Sequence, residues 1–193
     1  MKNPDTPLLP PMLLAIAYTP VSVRTRLAWL LTLDQRLSDV LMRASEPMIA
    51  QLRLSWWRDA LNSDSDKRPK GEPLLAQLNA IEPDDALIAG GLSLVDAYEI
   101  LAAASDYLEL DNAKKQRVLA IAEAYRLWNG GTDSKFHQID QIVQYWENPI
   151  GPLPKSVPRI LRPLTILALA EHLESSQNRT SPLRLNWHAL TGR

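Results

Sequence analysis

Cysteine is absent from this 193-residue chain. That excludes disulfides, thiolate metal sites and a cysteine nucleophile, and it fits a reducing compartment. Histidine is scarce: His137, His172 and His188 are scattered and make no metal-ligand spacing. No basic block is present and the formal net charge is −1, so nothing in the charge pattern points to nucleic acid. The apolar run Met12 to Tyr18 follows Pro10 and Pro11 and has only Lys2 as a basic flank. It is short of the roughly 20 apolar residues that span a bilayer and lacks the start of a signal peptide. We read a short first helix there and expect a cytoplasmic protein without a transmembrane segment, peripheral membrane contact being left open. No Ser-His-Asp order, phosphate-cradling glycine loop or HExxH motif occurs either.

What the chain has is helical periodicity nearly throughout, with no period-2 run, hairpin signal or internal repeat. Its length suits a single domain, 1–193, with residues 1–10 expected to be flexible. Val21 to Arg43 predicts a long helix, and Pro47 to Asn62 a second, with proline suited to its first turn. Residues 63–72 (SDSDKRPKGE) predict a loop. Pro73 to Ile81 and Asp84 to Ala89 predict short helices, and Gly90-Gly91 a break before Ser93 to Ala104. Asp111 is the expected cap of a helix ending at Asn129, stopped by Gly130-Gly131. Ser134 to Trp146 predicts another helix, 147–158 a proline-rich connector, and Arg159 to Leu173 a helix that Pro163 kinks or breaks. The tail SPLRLNWHALTG suggests a last short helix. The fold class is all-α.

Two charges fall where the helical wheel expects apolar side chains. On Pro47 to Asn62 the residues Ile49, Ala50, Leu52, Leu54, Trp56, Trp57, Ala60 and Leu61 form one broad arc, and Arg53 lies within it. On Val21 to Arg43 the apolar face of Leu27, Leu30, Leu31, Leu33, Leu37, Val40 and Leu41 contains Asp34, with Ser38 one turn on. A buried guanidinium cannot deprotonate and a lone buried carboxylate is costly, so the two are expected to meet. Such a pair either fixes helix register or marks a polar cavity left from a ligand site. Trp56 and Trp57 point about 100° apart and are expected not to stack on one another. They read as core anchors, with one of them lining an apolar groove as the sharper alternative. Arg58 reads as a solvated residue, Asp96 and Glu99 as a polar face, and Asp106, Glu109 and Asp111 as a solvated turn.

The segments LAWLLTLDQRLSDVLMRA and SEPMIAQLRLSWWRDAL resemble the squalene/phytoene synthase family. The likeness is to its short divergent members, which include proteins similar to the complex I assembly factors. PRILRPLTILALAEHL and LRLNWHALTGR add to it. The resemblance implies an isoprenoid-synthase-like helical bundle, truncated relative to catalytic members. Those members join prenyl diphosphates head to head with Mg²⁺ held by two aspartate-rich helices. Here Asp34 is followed at i+4 by Ser38, Asp39 is rotated about 140° away, and no second aspartate-rich motif is found. Asp34, Ser38 and Arg53 are therefore remnant catalytic candidates. Arg53, Trp56, Trp57 and Arg58 are candidates for contact with an isoprenoid-type ligand or a protein partner. The resemblance implies a catalytically degenerate protein that binds an isoprenoid-type lipid or a protein partner, as in respiratory-complex assembly. The alternative is an active prenyltransferase with an atypical or shared site, and only that reading requires Mg²⁺.

Overall fold

The computed structural model describes residues 8–81, 83–130, 138–147, 153–154 and 156–175. All regular structure among them is helical: α1 (Pro10–Tyr18), α2 (Val21–Arg43), α3 (Pro47–Asn62), α4 (Pro73–Ala80), α5 (Asp85–Ala103), α6 (Tyr107–Trp128), α7 (Ile139–Glu147) and α8 (Arg162–Ser175). Residues 1–7, 148–152 and 155 of the connector, the start of the helix expected from Ser134, and the tail with His188 lie outside the described residues, as does His137. The chain divides into two compact units, 25–131 and 1–24 with 132–193.

In the unit 25–131, local chemistry starts the helices. Pro47 and Pro73 open α3 and α4, where a missing N–H leaves no bond unmade. Glu72 accepts from Leu74 N and Asp84 from Leu87 N, capping α4 and α5. At α6 the cap is Asp106, not Asp111. Its carboxylate accepts from Glu109 N at 2.9 Å while Glu109 accepts from Ser105 N at 2.7 Å, a reciprocal arrangement one turn earlier than expected. Asp111 lies inside the helix and pairs with Lys115 at 2.8 Å. Asn129 caps the other end and Gly130 turns the chain with φ +94°, a conformation that favours glycine.

The expected break at Gly90-Gly91 does not occur: α5 runs straight through both. Their role is close approach. A Cβ on Gly90 would sit 2.9 Å from Ala124 Cβ of α6, and one on Gly91 would meet Trp29 at 3.2 Å and Leu61 at 3.3 Å. The helix accepts two poor helix formers because α2, α3 and α6 all crowd that turn. Trp29 is buried and donates its indole N–H to Leu74 O at 2.9 Å, tying α2 to α4. Among the described residues α5 is the one helix long and apolar enough to cross a membrane. Its residues Leu87, Leu94, Val95, Ala97 and Tyr98 are buried.

In the other unit α1 and α7 pack on α8. Trp146 donates to Glu171 at 2.9 Å, and Tyr145 meets His172 edge-on, so that histidine belongs to a helix contact. Pro163 does not kink α8. A 3₁₀ turn at Arg159–Leu161 comes first, and Pro163 falls in the opening turn of the helix, where it leaves no bond unmade.

Gly90→Leu is expected to destabilise the protein by about 1–3 kcal/mol through overpacking against Ala124. Gly71→Ala, where a Cβ meets open space, leaves stability nearly unchanged. Urea midpoints at constant m-value separate the two.

Candidate functional site

Asp34 is 1% exposed in the middle of α2, as its place on the apolar face requires. Its partner is not Arg53. Arg117 of α6 forks onto the carboxylate, Nε to Oδ1 at 2.7 Å and Nη2 to Oδ2 at 2.8 Å. The Tyr98 hydroxyl of α5 donates to Oδ1 at 3.0 Å. Three helices thus converge on one anion. The guanidinium plane matches the carboxylate geometry and neutralises its charge, and the phenol fills a further lone pair. Burial, and next the negative charge of Asp34, push the Tyr98 pKa far above its ordinary value, so the phenol stays a donor. The Arg117 side chain keeps 19% exposure, which leaves its outer edge near water.

Arg53 is exposed and makes no hydrogen bond or ion pair among the described residues. The buried face of α3 consists of Ala50, Leu54, Trp57, Ala60 and Leu61, most of it in the second half of the helix. Met48, Leu52 and Trp56 join Arg53 on the exposed side. A wheel collapses position along the axis, and here burial changes along the axis as much as around it. The expected Asp34–Arg53 pair is therefore absent, and Arg53 carries no buried charge that needs an acid.

The tryptophans divide the same way. Trp57 is buried, as expected for a core anchor, whereas Trp56 is 40% exposed. Their rings do touch, edge to face, with centroids 5.1 Å apart and planes at 81°. The 100° offset rules out parallel stacking but not this T-shaped contact. Arg58 is not a free surface cation. It bridges α3 to α5, reaching Asp96 at 2.7 Å and Glu99 through two hydrogen bonds, one of them at 3.2 Å. Those bonds, Glu99 foremost, raise its pKa above the ordinary arginine value. Ser38 is half-buried one turn beyond Asp34, and Asp39 pairs with Arg43 at 3.0 Å.

The donor set does not fit the Mg²⁺ that the resemblance implies for catalytic members. Mg²⁺ needs several hard oxygens with room around them. Both oxygens of Asp34 are occupied by a fixed cation and a phenol, and Asp39 is held by Arg43. No group of three or more acidic, histidine or cysteine side chains converges among the described residues.

Arg117 and Tyr98 escaped the sequence reading, although the signal for Arg117 was present. It sits four residues from both Ala113 and Ile121 and seven from Ala124, all buried on α6. A cation on that alanine-rich face has the same oddity as Arg53, with a narrower surface around it through which to reach α2.

Asp34→Asn and Arg117→Leu are each expected to cost about 2–4 kcal/mol in urea unfolding, since each leaves a partner uncompensated. The double variant Asp34→Leu/Arg117→Leu recovers much of the loss. Arg53→Ala stays within about 0.5 kcal/mol of the parent. Tyr98 also makes stability fall in alkali. Its pKa is raised on folding, so its contribution is complete below the unfolded value of about 10 and is lost as pH climbs beyond it. Tyr98→Phe is expected to flatten the alkaline limb of the unfolding midpoint against pH.

Searches of protein-family models, curated proteins and solved structures found no match to this chain.

Proposed function

We propose that this protein is a squalene/phytoene synthase-like helical protein that has lost the condensation chemistry and acts by binding an isoprenoid-type lipid or a protein partner, as in respiratory-complex assembly. The observation that carries this reading is the occupation of Asp34. In the resembling motif this carboxylate would help to hold Mg²⁺ and a diphosphate. Here a bidentate arginine and a tyrosine already satisfy it, and the serine at i+4 offers no second acid. A carboxylate paired in this way stabilises helix packing and has no charge left over for a metal.

Of the four side chains expected to meet a ligand or partner, Arg53 and Trp56 remain accessible, beside Met48 and Leu52 on α3. An exposed tryptophan next to an unpaired arginine is a frequent combination at binding surfaces. Trp57 and Arg58 serve the same contact indirectly, the first as the buried ring behind Trp56 and the second as the clamp fixing α3 to α5.

Purified protein incubated with farnesyl diphosphate and Mg²⁺ is expected to release no pyrophosphate above the protein-free rate. Binding of the lipid without turnover agrees with the proposal. Mg²⁺-dependent release that disappears in Asp34→Asn overturns it in favour of an active synthase.

A further inference from the structure

The loop 63–72 and α4 border a cavity of about 280 Å³, whose lining includes Ser65, Asp66, Arg68, Lys70 and Asn79. The loop is held in place by its own bonds. Lys67 N and Arg68 N donate to Asp64 O at 2.9 and 3.1 Å. Asn79 of α4 donates Nδ2 to Ser65 O at 3.1 Å and accepts from Arg68 Nη1 at 2.5 Å. One asparagine therefore both anchors the loop and aims the arginine.

Arg68 is 8% exposed, and its Nε is buried without a hydrogen-bond partner. Burial holds its pKa below the ordinary arginine value despite the nearby Asp64 charge, while the guanidinium remains a cation. Asp64 itself is engaged by Lys67 at 2.5 Å. Lys70 and Asp66 line the same cavity, and neither makes an ion pair among the described residues. A guanidinium this withdrawn from water is bonded through its side chain to a neutral amide, and Asp64 acts on it only from a distance, so no anion in contact compensates its burial.

We propose that this cavity binds a small phosphate monoester, with Arg68 and Lys70 holding the phosphate and Asp66 accepting from a hydroxyl or ammonium group on the organic part. Two cations match the roughly −1.5 to −2 charge of a monoester. Arg68 supplies the guanidinium charge and the donors that Asn79 leaves free, and lysine a mobile point charge. A carboxylate beside them disfavours a bare anion and selects a ligand that also brings a donor. The volume lies just below the range for drug-sized ligands, about 300–1,000 Å³, which suits a short phosphorylated alcohol or amine. The site is separate from Asp34, so it stands whether or not the protein retains synthase chemistry.

Titration calorimetry of the full chain with glycerol 3-phosphate and with inorganic phosphate tests the site, alongside flotation with phosphatidylcholine vesicles with and without phosphatidate. Saturable binding of glycerol 3-phosphate, tighter than that of inorganic phosphate, is expected. Lys70→Gln weakens it about tenfold, the equivalent of 1.4 kcal/mol. Arg68→Gln abolishes it, and Lys114→Gln, an equal charge change on α6, leaves it intact. Flotation that needs phosphatidate and the same two residues assigns the ligand to a lipid headgroup; calorimetric binding without flotation assigns it to a free metabolite. Lys70 is exposed, so its variant tests the site even if Arg68→Gln fails to fold. Absence of saturable binding in both formats, or binding indifferent to Lys70→Gln, overturns the proposal.

Discussion

A carboxylate almost sealed from water must be neutralised by whatever surrounds it, and here that requirement binds three helices at one point. Asp34 comes from α2, Tyr98 from α5 and Arg117 from α6, separated by 64 and 83 residues from the acid. Apolar packing alone tolerates a shift of a few tenths of an ångström between helices. A forked ion pair at 2.7 and 2.8 Å adds a directional requirement that non-directional packing lacks, and it favours one register of the three helices. The glycine pair of α5 serves the same end, since the approach it permits to α2 and α6 brings those helices within reach of one another.

The helices were largely legible because most of the relevant information is local. The ends of α2 and α3 follow directly from apolar periodicity, from Pro47 and from the polar run after Asn62. The errors have physical causes. Gly90 and Gly91 read as a break because helix propensity is a property of the isolated segment, whereas the contacts that favour them come from α2, α3 and α6. Asp111 read as a cap because aspartate there looks like a helix start, yet Asp106 with Glu109 forms the stronger reciprocal cap one turn earlier.

The candidate site was half legible. That Asp34 needed a buried cation follows from its own helix, but which cation supplies it depends on the crossing of distant helices. Arg53 lay within an apolar arc of the next helix, but the N-terminal half of α3 is largely uncovered. Arg117 lay 83 residues away on a face of small side chains. Arg58 posed the reverse problem. It looked solvated on the wheel of α3, and only the crossing of α5 brings Asp96 and Glu99 to it. An apolar arc identifies the side of a helix that is able to be buried, and tertiary contacts decide how much of its length is.

Helix α5 has a consequence for how the chain comes to be folded. Unpaired, it is a long apolar segment of the kind that aggregates from a nascent or partly folded chain. The helices that cover it are its neighbours in sequence: α2 and α3 emerge during synthesis before it, and α6 directly after. By the time it is complete it can meet α2 and α3, whereas α6, which packs on it most extensively, is still to come. Helix α6 follows after residues 104–106 alone, and its arrival brings Arg117 to Asp34. The short connection to α6 thus limits how long this segment stays half covered.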